Sequence, residues 1–173
     1  MHALDGKSIA SVAFLDSWKA FDSLDHMILL QRLSKLGVHG TEIAWFTSYL
    51  SDRVQRVKHN GAYSEWGTIG GGIPQGSALG PLLFLVYMND MQSQVHNGKL
   101  LQYADDTTLI CTGDDCCEVH NHLTTDLQYI SNWITSSKMQ LNIAKSSVMW
   151  FMPKSFSCNI HIPPVYNNNI PLQ

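Results

Sequence analysis

The stretch 100-LLQYADDTTLIC-111 sets two adjacent carboxylates, Asp105 and Asp106, between two runs that read as strands. GKLLQY and TTLIC on either side predict a hairpin with the aspartate pair at its tip. Neighbouring carboxylates in a poorly solvated place repel each other and lose hydration, so one takes up a proton unless a cation is present. A bound divalent metal removes the conflict and gives the pair a purpose. A fully solvated surface turn removes it equally well, and the pair alone leaves both readings open.

Outward from this hairpin, KSIASVAFLD (7–16) reads as a buried strand leading straight into Asp16. DHMILLQRLSKLG follows as a helix, with Asp25 as N-cap, Ile28, Leu29, Leu33 and Leu36 on its apolar face, and Gly37 as its stop. TEIAWFTSYLSD predicts a second helix capped by Thr41. RVQRVKHNGAYSEWGTI predicts a hairpin turning at Asn60-Gly61. GGGIPQGSALGPLLFLVYMNDM moves from a glycine-rich loop into an apolar helix, and Pro81 is tolerable only in its first turn, which places the start near Ser77. An amphipathic helix is expected over Asp115 to Met139, with SSVMWF as the last strand. Hairpins mixed with helices indicate an α+β layer, its sheet mixed or antiparallel and its helices on one face. Residues 1–156 are read as one domain, and 157–173, rich in Pro and Asn, as a loosely structured tail.

Composition narrows the setting. The 173 residues are 45% hydrophobic and 14% charged, which suits a folded domain with a real core. The longest apolar run, Leu82 to Met88, is too short to span a bilayer, and the N-terminus lacks the pattern of a signal peptide. Four cysteines without a disulfide framework fit a reducing compartment, so an intracellular location, nucleus or cytoplasm, is expected. The net charge of −3 is unlike that of a free-standing nucleic-acid binder, so any such role must use a local patch or further parts of a larger protein.

If the strand ending at Asp16 neighbours the aspartate hairpin, three carboxylates meet at one end of the sheet. Hard oxygen donors around an open space suit Mg²⁺, which keeps waters and takes substrate phosphates. Two such ions about 4 Å apart clamp an in-line phosphoryl transfer.

VAFLDSWKAFDSLDH, GGIPQGSALGPLLFLVYMNDM, YADD and LNIAKSSVMWF, in this order, resemble the palm motifs of reverse transcriptases, most closely those of non-LTR (LINE-type) retrotransposons. The resemblance covers about residues 8–152. It implies a palm with part of the fingers, the remaining fingers motifs and the thumb lying outside these residues. It also implies RNA-directed DNA synthesis from dNTPs on an RNA template and a DNA primer, with two Mg²⁺ or Mn²⁺ ions. Asp16 and Asp105 correspond to metal ligands, the Ser17 carbonyl to a further ligand, and Asp106 to a supporting carboxylate. Phe21 matches the aromatic beneath the sugar, Gln75 and Gly76 the turn contacting the incoming nucleotide, Tyr103 and Ala104 the primer end. Lys145 matches a lysine proposed to protonate the leaving pyrophosphate. Ser17 and Trp18 depart from the family's usual apolar-then-small pair. A truncated or repurposed inactive remnant, and a metal-dependent nuclease using the same carboxylates, stand as alternatives.

Other signals have plainer readings. CCEVHNH places Cys116 and His120 four apart, but Cys117 and His122 fall on other helix faces, where a zinc site needs four converging ligands. Asp114 and Asp115 suit the cap of that helix. Arg53, Arg56 and Lys58 are candidates for template phosphates, with Arg56 and Lys58 sharing a strand face. The five tryptophans suit core or rim packing.

Overall fold

The computed structural model describes residues 8–153, together with the backbone of two short strands, Tyr166–Asn167 and Ile170–Pro171. The chain forms two compact units, one built from the residues up to Trp18 and from Asp90 onward, the other from Lys19–Asn89.

The first unit carries the sheet. Strand β1 (Ile9–Leu15) lies between β7 (Asp106–Gly113) and β8 (Ser147–Phe151), and β6 (Lys99–Tyr103) forms the edge beside β7. Every pairing is antiparallel. The period of two sorts the side chains by face. Ile9, Ser11, Ala13 and Leu15 point inward together with Leu109, Cys111 and Leu100, all buried. Helix α4 (Cys116–Ser136) covers this face with Val119, Leu123, Leu127, Ile130 and Ile134. The opposite face keeps Phe14, Leu101 and Met149 exposed. Asp115 caps α4 through its side chain, accepting from the Cys117 and Glu118 N–H groups, while Asp114 accepts from the Ser8 hydroxyl.

Burial sets the chemistry of Cys111. Loss of hydration, reinforced by the negative charge of Asp126, pushes its thiol up to about 12 from 9.0, whereas Cys117 is exposed. Iodoacetamide at pH 8 is therefore expected to label Cys117 well before Cys111 in the native chain. Because the folded thiol titrates above the unfolded one, the stability it contributes is complete below about pH 9 and is lost as pH rises toward 12. Mass mapping of labelled peptides and denaturant melts across that range check both statements; native labelling of Cys111 at the Cys117 rate would contradict them.

In the second unit, α1 (His26–Lys35) begins where Asp25 accepts from the Ile28 N–H, and it buries Leu29 and Leu33. Leu36, expected on the buried face, is 56% exposed, because the helix has ended and Leu36 occupies its C-cap. Helix α2 (Gly40–Leu50) starts one residue before the expected Thr41 cap, with His39 at the N-cap and no side-chain cap bond. Strands β2 (Val54–Gln55) and β5 (Gly67–Thr68) pair outside the inner hairpin of β3 (Lys58–His59) and β4 (Ala62–Tyr63). Asn60 and Gly61 both have positive φ, as a two-residue type I′ turn requires. Arg56 lies between β2 and β3 rather than on a strand face with Lys58, and its guanidinium covers the rings of Tyr63 and Trp66. Helix α3 (Gly80–Met88) starts after Ser77, not at it. Ser77 is spent on a turn, its hydroxyl donating to the Pro74 carbonyl and accepting from the Gly80 N–H. Pro81 falls in the first turn, as its missing N–H demands.

SSVMWF is not the final strand, since β9 (Tyr166–Asn167) and β10 (Ile170–Pro171) pair beyond it. The rest of the 157–173 tail lies outside the described residues. Among the described residues no helix is long and apolar enough to cross a membrane.

Candidate active site

The end of β1 and the start of β7 build the site in the first unit. Leu15 pairs with Thr107, so the next step along the ladder sets Asp16 across from Asp106. Tyr103 faces Asp106 from β6 and is 84% exposed. Asp16 and Asp106 thus share the open face with Phe14 and Thr108, away from α4. Asp105 occupies the two-residue turn with Ala104, half-buried. Ala104 has φ 51, a left-handed conformation that costs a non-glycine residue about 1–2 kcal/mol. Strain of this kind holds only where the surrounding ladder over-determines the turn.

Asp16, Asp106 and Lys145 line one cavity of about 410 Å³ with Phe14 and Thr108. Lys145 is exposed and ends a 3-10 turn, Ile143–Lys145, just before β8. Asp16 is half-buried and tightly held. Its Oδ2 accepts from Asn142 Nδ2 at 2.9 Å, its carbonyl accepts from the Asn142 N–H at 2.8 Å, and its own N–H donates to Ser146 Oγ at 3.2 Å. Ser17 is buried in an antiparallel bridge with Leu141. The two hydrogen bonds of that bridge use the Asp16 carbonyl and the Trp18 N–H, so the Ser17 carbonyl takes no part in it. The indole of Trp18 is 51% exposed.

The donor set matches Mg²⁺ in kind. Two carboxylates face an open cavity, and Mg²⁺ commonly takes one or two carboxylates and leaves the rest of its octahedron to water and phosphates. Among the described residues no group of three or more His, Cys, Asp and Glu side chains is gathered to hold a metal. In the CCEVHNH segment, Cys116 is buried in the core and Cys117 is exposed.

Phe21, Gln75 and Gly76 belong to the second unit. The Phe21 ring stacks on Phe84 with centroids 4.4 Å apart, and its carbonyl accepts from the Ile73 N–H. The Gln75 amide donates to Asp22 Oδ1 at 2.9 Å. Gly76 has φ +79 and open space around it. Gly72 sits so close to Asp22 that an added Cβ would lie 2.8 Å from its carbonyl oxygen. That packing zips the glycine loop onto residues 21–24, with the Gly72 N–H donating to the Leu24 carbonyl at 2.7 Å. Lys19 and Arg53, with Asp22 and Gln75, line a cavity of about 760 Å³ there. Sequence reading missed the Asp22–Gln75 pair and the Asn142–Ser146 clamp. Asn142 and Ser146 flank Lys145 in LNIAKS, and no spacing or period in the sequence marks them as partners of Asp16.

An antiparallel sheet with helix α4 on one face and carboxylates where β1 and β7 meet fits a palm-type fold. The structure matches apo telomerase of Candida tropicalis truncated from its C-terminal domain with a TM-score of 0.64 at 16% identity, covering 87% of this chain and 32% of that one. It also matches Candida albicans telomerase in complex with a telomeric RNA fragment, with a TM-score of 0.63 at 14% identity, covering 81% and 27%. Residues 2–160 match the reverse transcriptase (RNA-dependent DNA polymerase) family, and the chain belongs to that family. Its relatives include polymerases of transposable elements. It is 32% identical over 179 residues to the probable RNA-directed DNA polymerase from transposon X-element of Drosophila melanogaster, covering 98% of this chain and 19% of that protein. The corresponding figures are 30% over 154 residues for transposon BS (83% and 17%) and 28% over 165 residues for mobile element jockey (91% and 18%), both of Drosophila melanogaster. This chain is thus a LINE-type reverse transcriptase domain that spans 17–19% of the length of these relatives.

Proposed function

We propose that this chain forms the catalytic palm of an RNA-directed DNA polymerase that extends a DNA primer on an RNA template with dNTPs. The observation that carries the reading is the convergence of Asp16, Asp106 and Lys145 on one cavity at the β1–β7 junction. Asp16 and Asp106 are the groups that would hold Mg²⁺ or Mn²⁺, with the Ser17 carbonyl and Asp105 as the further ligands that the family resemblance implies. A divalent cation pair supplies charge neutralisation on the transferring phosphoryl group and lowers the pKa of an attacking hydroxyl. Lys145, which lines the same cavity, would serve as the general acid for the leaving pyrophosphate. Tyr103 and Ala104 would line the primer end, and the exposed Gln75 and Gly76 would contact the incoming nucleotide.

The test of the cation site is Mn²⁺ binding to the 173-residue chain, followed by water-proton relaxation. The double variant Asp16→Asn, Asp106→Asn is expected to lose more affinity than the roughly 10–100-fold typical of losing a supporting residue. Unchanged affinity in that variant would sink the reading.

Phe21 is proposed as the steric block beneath C2′ of the sugar. Its stacking on Phe84 fixes the ring plane, which a selective wall needs. In a polymerase carrying this domain, Phe21→Ala should raise ribonucleotide incorporation relative to deoxynucleotide by about tenfold or more, the scale of one misfitted group in a pocket. Competitive incorporation assays measure the ratio, and unchanged discrimination would reduce Phe21 to a packing residue.

A further inference from the structure

We infer that Asn142 and Ser146 are positioning residues that orient the Asp16 carboxylate for its cation; the inference rests on the proposed role of Asp16. One five-residue segment grips Asp16 at three points. Asn142 donates twice, from its backbone N–H to the Asp16 carbonyl and from Nδ2 to Oδ2, at 2.8 and 2.9 Å. Ser146 Oγ accepts the Asp16 N–H at 3.2 Å and donates to the Asn142 carbonyl at 2.9 Å, which closes the loop. Both partners are shielded from water, Asn142 at 7% exposure and Ser146 at 0%. An exposed amide would exchange its bond with solvent; a buried one holds its partner in a single rotamer.

The consequence is chemical. The Asn142 Nδ2 bond to Oδ2 restrains rotation of the carboxylate, so Asp16 would present its free lone pairs to a cation in the cavity from one orientation rather than many. The same segment carries Lys145 between its two anchors, and Lys145 lines the same cavity. The clamp therefore fixes the Asp16 backbone against the turn that carries Lys145, although the two belong to distant parts of the sequence. This is the arrangement by which outer residues tune a metal site.

Mn²⁺ binding to the full chain, read by water-proton relaxation, tests this in a double-mutant cycle. Asn142→Leu keeps the side-chain shape and the backbone bonds but removes the donor, and it should weaken Mn²⁺ binding about tenfold. In an Asp16→Asn background the same substitution should change affinity less than twofold. Equal losses in both backgrounds, or none in either, would overturn the positioning role while leaving the cation site standing. Undiminished binding by Asp16→Asn alone would instead remove the cation reading and this inference with it. Should Asn142→Leu not fold, the wild-type chain supplies a second readout. Its Asn142 side-chain amide signals should broaden at lower Mn²⁺ than those of Asn89, Asn97 or Asn132, and failure to do so overturns the proposal.

Discussion

Asp16→Asn, introduced into a full-length relative that carries residues 8–153 in place of its own segment, should lower primer extension on an RNA template by about 1,000-fold or more. Removing one preorganised electrostatic group from an acyl-transfer site already costs about 10²–10³ in turnover. A carboxylate that anchors a phosphoryl-transfer cation removes the charge and the positioning together. The lost carboxylate is half-buried and held by Asn142 Nδ2, while two further hydrogen bonds fix the Asp16 backbone beneath it. Asp105→Asn and Asp106→Asn form an informative pair. The cavity lining supports Asp106 as the partner of Asp16, while the family resemblance ranks Asp105 as the ligand. Their single-variant rates decide the order. Asp114→Asn is the control, an exposed carboxylate bonded to Ser8 outside the cavity, and should alter the rate less than twofold. Extension by Asp16→Asn above a tenth of the parent rate would end the catalytic assignment.

Asp126→Ala should destabilise the first unit by about 4 kcal/mol, the scale of breaking a buried, hydrogen-bonded charge site. Asp126 is fully buried on the sheet-facing side of α4. Its carboxylate accepts from the backbone N–H groups of His96, Asn97 and Gly98 and from the Asn97 side-chain amide, at distances between 2.7 and 3.3 Å. These donors lead into β6, so the carboxylate pins the start of the hairpin that ends in the aspartate pair. Truncation leaves several buried donors unpaired, each worth about 1–3 kcal/mol before relaxation. Asp126→Asn keeps the volume but turns an N–H group toward other N–H groups, and about 2 kcal/mol is expected. Either change also removes the smaller of the two causes that raise the Cys111 thiol, which should then titrate lower. Urea melts give the stabilities and thiolate absorbance the titration. A loss under about 1 kcal/mol for Asp126→Ala would mean that the loop is held by other contacts.

These two aspartates divide what could be read from the chain from what could not. Local rules reached far. The hairpin of GKLLQY and TTLIC, the Asn60-Gly61 turn, the Asp25 and Asp115 caps and the position of Pro81 each rest on signals within a few residues, and each is present in the structure. At two places where local rules failed, a nearby partner had intervened. Ser77 serves a turn with Pro74 and Gly80 instead of opening α3, and Arg56 leaves the strand ladder to cover two aromatic rings.

The site was legible as residue types in an ordered series of motifs. The carboxylates, Lys145, Phe21 and Gln75 all stand in those motifs. Tertiary structure alone decided which of them share a cavity, because the β1–β7 register sets Asp16 against Asp106 across 90 positions of sequence, and a one-residue slip of β7 would turn Asp106 to the α4 face, away from Asp16. It alone chose Asn142 and Ser146 as the groups that hold Asp16, and Asp126 as the buried anchor of the hairpin. Such partners are fixed by three-dimensional hydrogen-bond demand, which leaves no period and no spacing in the sequence to read.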